Sequence, residues 1–209
     1  SVDIHNNIVS IGAGAFSGNS LTSLTIPNSV RKIGKCAFCV NELITVNIPD
    51  GITDIAESTF SGNKITSVTI PDSVVGIGEY AFMNNLLETV LIPNSVTNLG
   101  RGAFYNNKLT SISLPDSLTS ISAMAFYDNL LSIIDIPDSV TEIGNYAFYN
   151  NELTKVSFGM NLHTIEDEAF RNNKLASIAI PEGVISLSGF GGNFLTTITI
   201  PKSVESIGE

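Results

Sequence analysis

Apolar positions along this chain follow two rhythms that return together every 22 residues. In Leu21-Thr22-Ser23-Leu24-Thr25-Ile26, Leu24 and Ile26 share one face and Ser23 and Thr25 the other, the period-two pattern of a half-buried strand. Pro27 has no backbone donor, so it ends the strand and opens a turn with Asn28 and Ser29. Val30 and Ile33 bring a returning wall onto the same core. Gly34 starts a tight segment, and Ala37-Phe38 read as one helical turn that inserts the ring. Gly18-Asn19, Gly62-Asn63, Asn106-Asn107 and Asn150-Asn151 follow that turn, and Gly and Asn tolerate the left-handed backbone that closes it.

This unit recurs along the chain. Phenylalanine returns at Phe16, Phe38, Phe60, Phe82, Phe104, Phe126, Phe148 and Phe170, always 22 apart. Proline keeps the same step from Pro27 to Pro137, skips Gly159 and returns at Pro181. Pro201 follows after only 20 residues, so one unit has lost two positions around Leu187-Ser188-Gly189-Phe190. The displaced Phe190 and Phe194 read as the start of a cap. An unbroken asparagine row runs from Asn19 and Asn41 to Asn173 and Asn193, and the 209 residues hold about nine and a half copies. A single copy cannot offset the entropy of ordering its own backbone, so the copies must stack and share a core. A strand spacing of about 4.8 Å makes the stack a rod roughly 45 Å long. Rows of Asn and Ser side chains are the natural partners for the backbone of the stacked turns. The expectation is one solenoid over 1–209, β-rich, with a parallel strand per coil and little helix.

The segment Ile70-Pro71-Asp72-Ser73-Val74, followed by Ile77-Gly78-Glu79-Tyr80-Ala81-Phe82, has counterparts across nearly the whole chain. In these residues the sequence resembles the BspA-type leucine-rich repeats of bacterial and protist surface proteins. The period lies inside the leucine-rich-repeat range and outside those of ankyrin, tetratricopeptide and propeller repeats. The generic LxxLxLxxN pattern fits Leu21, Leu24 and Ile26, but its last slot holds Ser at 29, 73, 95, 117 and 139, with Asn only at Asn161. The resemblance implies a curved, right-handed leucine-rich-repeat superhelix that displays a binding surface, often for adhesion to host matrix proteins.

Composition narrows the partners. A net charge of −10, from 20 acidic and 10 basic residues, repels phosphate backbones and argues against nucleic acid. The longest uncharged stretch, 183–201, contains four Gly among Ser and Thr and is no membrane span. Ser1-Val2-Asp3-Ile4-His5 lacks a signal-peptide profile. Val2-Asp3-Ile4 and Ile207-Gly208-Glu209 both fall in mid-coil, so the chain is read as a fragment of a longer, extracellular or cell-surface protein, expected to be monomeric.

Catalytic constellations are missing from the pattern. His5 and His163 stand about seven coils apart, roughly 35 Å, and no Ser–His–acid set can form around either. No cofactor motif is present, since Gly12-Ala13-Gly14 is a variant of the repeat's own turn. Cys36 and Cys39 read as packing thiols ahead of a local disulfide or a redox pair. The acids after the prolines, Asp50, Asp72, Asp116 and Asp138, read as turn chemistry rather than metal ligands. Glu42/Lys64 and Glu152/Lys174 read as surface pairs between coils, and Tyr105, Tyr127 and Tyr149 as rung packing on a flank.

The strand face is left as the recognition surface. Its outward rows are mostly small hydroxyl side chains, and the departures cluster at Leu91, Ile133, Asp135 and Lys155. Function tends to sit where a repeat breaks its own rule. Two apolar residues beside an opposite-charged pair would make a small hot spot for a protein ligand, with a host extracellular matrix or plasma protein as the class the resemblance suggests. A structural spacer that displays another domain is the alternative. Ice binding is weaker, because the Thr rows are irregular.

Overall fold

The computed structural model describes residues 2–208. The expected strand lies where the alternation puts it, at Leu24–Thr25, Thr45–Asn47, Ser67–Thr69, Ile133–Asp135, Lys155–Ser157, Ser177–Ala179 and Thr197–Thr199. Neighbouring coils pair in parallel with a 22-residue offset, as in Thr45↔Ser67, Val46↔Val68 and Asn47↔Thr69. Leu91 continues this front ladder as a single bridge to Thr69 and to Ser113.

Where the pattern predicts one strand per coil, the structure has two. A rear ladder passes through Lys32–Ile33, Asp54–Ile55, Gly76–Ile77, Asn98–Leu99, Ser120–Ile121 and their successors. Its last five members, Ser120–Ile121, Glu142–Ile143, Thr164–Ile165, Ser186–Leu187 and Ser206–Ile207, form one continuous parallel sheet. Each is two residues long, with one side chain in and one out except at Ser206–Ile207, where both are exposed, and so too short for alternation to register.

The expected helical turn is also replaced. Among the described residues there is no helix. Ala37 N–H bonds the Gly34 carbonyl and Cys39 N–H the Cys36 carbonyl, so two tight turns follow one another. Cys36 has φ +53° and Val40 φ +54°, and a left-handed residue interrupts any α-helical run. The freed N–H groups bond across coils instead: Phe60 N–H reaches the Ala81 carbonyl and Phe82 N–H the Ala103 carbonyl, both at 2.9 Å.

The core runs along the solenoid axis. Phe38, Phe60, Phe82, Phe104, Phe126, Phe148 and Phe170 are fully buried. With Phe16 and Phe190 they form a near-parallel stack of rings with centroids 5.2–5.9 Å apart. Phe190 therefore continues the stack rather than starting a cap, and Phe194 is exposed. The two lost residues are the equivalents of Asp167 and Glu168, which precede the Ala slot of the tight turn. Phe170 N–H bonds the Gly189 carbonyl, which places Gly189 in the usual Ala slot directly after Ser188. A β-carbon at Gly189 would lie 2.4 Å from the Ala169 nitrogen, so the shortened coil admits only glycine there.

Asparagine side chains tie coil to coil. Asn107 Oδ1 accepts the Leu87 N–H at 3.1 Å. Its Nδ2 donates to the carbonyls of Phe82 and Phe104 at 2.9 and 3.1 Å. The same arrangement holds at Asn41, Asn63, Asn85, Asn151, Asn173 and Asn193. The serine row does this in part: Ser29 and Ser73 donate to the carbonyls of Ile8 and Ile52, whereas the buried hydroxyls of Ser95 and Ser139 have no partner among the described residues. The expected Lys64–Glu42 and Lys174–Glu152 pairs form, joined by Lys35–Glu57.

Candidate functional site

The front ladder presents one side chain of every pair to solvent. Ser23, Thr45, Ser67, Thr89, Ser111, Ile133, Lys155, Ser177 and Thr197 are all exposed, as are Thr25, Asn47, Thr69, Leu91, Ser113 and Asp135. The intervening Leu24, Val46, Val68, Val90 and Ile134 are buried. A parallel ladder with a 22-residue offset, shortened to 20 at Ser177↔Thr197, turns each row of the repeat into a row on the surface.

Three of the four candidate residues lie together. Ile133 is the direct partner of Lys155, and Asp135 the partner of Ser157. Leu91 stands two coils away in the Asp135 row, with Ser113 between, a separation of about 10 Å. Leu91 is 73% exposed and Ile133 50%, large values for apolar side chains in a sheet. The opposite-charged pair of the sequence reading does not close: among the described residues no ion pair joins Asp135 to Lys155. Both charges face solvent.

Sequence reasoning passes over Met160. It occupies the turn position that holds Asp50, Asp72, Asp116 and Asp138 in other coils, and it is 70% exposed. Its N–H bonds the Asp138 carboxylate at 2.8 Å. Its coil also replaces the usual proline by Gly159, and the available signal is an apolar residue in a row that otherwise holds Asp, Glu, Asn or Lys.

The remaining chemistry is sparse. Among the described residues no group of three His, Cys, Asp or Glu could hold a metal ion, and no helix is long and apolar enough to cross a membrane. Cys36 and Cys39 are joined as a disulfide within one turn, which corrects their reading as packing thiols. Three-residue spacing around the left-handed Cys36 brings the two sulfurs to the same side of the turn.

The family model of a BspA type leucine rich repeat region (6 copies) matches residues 1–110 and again 97–209, which together span the chain. The chain belongs to the BspA-type leucine-rich repeat family. No curated protein matches its sequence. Among solved structures, the BspA-type solenoid is similar to YopM from Yersinia enterocolitica WA-314, with a TM-score of 0.68 at 22% identity over 99% of this chain and 43% of that one. It thus spans less than half of that protein. A leucine-rich cell surface protein from Faecalibacterium prausnitzii A2-165 aligns with a TM-score of 0.50 at 25% identity, covering 97% of this chain and 76% of that one. YopM from Yersinia pestis, a leucine-rich effector protein, gives 0.53 at 21% identity over 96% and 65%. These likenesses show the leucine-rich-repeat fold, and repeats of this family generally serve protein interaction.

Proposed function

We propose that this BspA-type solenoid is a non-enzymatic protein-binding and adhesion module of a secreted or cell-surface protein, engaging its ligand through the strand face at Leu91, Ile133, Asp135 and Lys155. One observation carries the reading: on a sheet otherwise surfaced with small hydroxyls, apolar Leu91 and Ile133 are open to solvent beside two unpaired charges. Interfaces draw their energy from a few such anchors within a polar rim. The surface setting is supported by the family and by the likeness to a cell surface protein of Faecalibacterium prausnitzii.

The test is saturable binding to a panel of immobilised extracellular matrix and plasma proteins, repeated with Ile133→Ser and Lys155→Ser combined. Loss of binding in the double variant is the expected result. Binding that survives moves the site elsewhere, and a panel with no binder favours a spacer.

A further inference from the structure

All five tyrosines of the chain gather on one flank, away from the strand face. They occupy two turn positions three residues apart. The first holds Ser58, Tyr80, Gly102, Met124 and Tyr146 in successive coils, and the second Ser61, Met83, Tyr105, Tyr127 and Tyr149. Tyr127 stacks on Tyr105 at 4.8 Å and on Tyr149 at 4.7 Å, while Tyr146 tilts against both Tyr127 and Tyr149. Between Tyr80 and Tyr146 opens a groove of about 560 Å³, lined also by Met83 and Met124.

Rung packing accounts for the three stacked rings but not for three other features. Tyr80, Met124 and Tyr146 hold φ of +55°, +60° and +60°, a region costly for bulky residues, at a turn position that holds Gly14, Cys36, Ser58, Gly102 and Glu168 in other coils. Gly102 supplies the second: a β-carbon there would lie 2.6 Å from the Tyr80 ring, so the ring lies across the glycine and forms one wall. Arg101 supplies the third. At the equivalent turn position one coil apart Lys35 pairs with Glu57, yet Arg101 pairs with no carboxylate among the described residues, Glu79 included. Its guanidinium instead rests 3.6 Å from the Met124 sulfur, inside the groove.

These features define the occupant. The stacked tyrosines cover one another's faces and offer edges and hydroxyls, which suits an inserted side chain better than a flat sugar ring. Thioethers adapt to varied apolar shapes, and Tyr, Met and Arg are the residue types enriched at protein interfaces. The one lining charge is positive, so it calls for a carboxylate; the chain's net charge of −10 repels any longer acidic run. We infer that the flank groove is a second docking site, for an extended peptide segment that sets an apolar or aromatic side chain among the tyrosines and methionines and a single carboxylate on Arg101. The inference is independent of the strand-face reading.

The test is selection from a phage-displayed random dodecapeptide library on the immobilised protein, with winning peptides remeasured in solution by fluorescence anisotropy. Enriched peptides should carry Asp or Glu close to an aromatic or large aliphatic residue. Arg101→Glu, an exposed change with no effect expected on melting, should weaken them by about tenfold or more, as loss of a charge-assisted contact does. Selection repeated on that variant should lose the preference for acids. The combined Ile133→Ser and Lys155→Ser variant should bind them unchanged. An empty selection, basic winners, or winners indifferent to Arg101→Glu would overturn the inference, as would Arg101-dependent binding on a glycan array with no peptide selected. Peptides lost only in the strand-face double variant would overturn it while leaving the proposed function standing.

Discussion

A single carboxamide at Asn107 bonds four backbone groups that belong to two coils. Asn107→Leu leaves the Leu87 N–H unpartnered in the interior, while the Phe82 and Phe104 carbonyls each lose one donor and keep another, from Asn85 and Asn129; an orphaned buried group costs about 1–3 kcal/mol. A loss of about 1–3 kcal/mol in urea unfolding is expected; an unchanged midpoint would mean that water enters and replaces the amide. Glu142 gives the opposite sign. Partial burial, then the Glu166 carboxylate on the neighbouring coil, raise the Glu142 carboxyl above its ordinary value of 4.5. An acid with a raised pKa in the fold contributes stability below its ordinary pKa and loses it as pH rises through the raised one. Glu142→Gln should therefore raise the melting midpoint slightly at pH 7, and the gain should vanish below pH 4.5. Its size stays small because the site is solvent-screened.

The strands and turns separate inside from outside, and two substitutions read that separation. Phe104→Ala opens a cavity in the ring stack and should cost about 3–5 kcal/mol. Leu91→Ser, on the outer side of the front ladder, should hardly move the midpoint. A large melting loss for Leu91→Ser would overturn the face assignment. The Cys36–Cys39 link closes a loop of only three residues' separation, so reduction should shift stability by no more than about 2 kcal/mol, and an unreduced digest should show that peptide lighter by two hydrogens. At this scale the alternation of Leu24, Thr25 and Ile26 was legible because period two is set by the pleat. The rear ladder was not, since Lys32–Ile33 is too short to carry a period. Nor was the double turn at Cys36, because a left-handed Cys, Tyr or Met leaves no mark in composition where Gly would.

Across the whole molecule, repetition makes the fold readable and the site obscure. Eight phenylalanines in step announce the coil, and the same regularity carries any outward residue whether or not it binds anything. Leu91, Ile133 and Lys155 stood out as departures from a row. Met160 and the tyrosine flank did not, because the first hides in an acidic row and the second becomes a groove only when Gly102 removes a side chain from its middle.

The asparagine bonds also have a direction. Asn63 completes the peptide groups of Leu43 and Phe38, in the coil before its own, and every later asparagine reaches backward in the same way. A coil's inner polar groups are therefore finished only by the arrival of its successor. During synthesis the chain leaves the ribosome in that same order, so each emerging segment can lock its predecessor while its own amides still face water. Folding in that order would add one coil per 22 residues translated, and a pause in translation would leave a single unlocked coil at the growing tip.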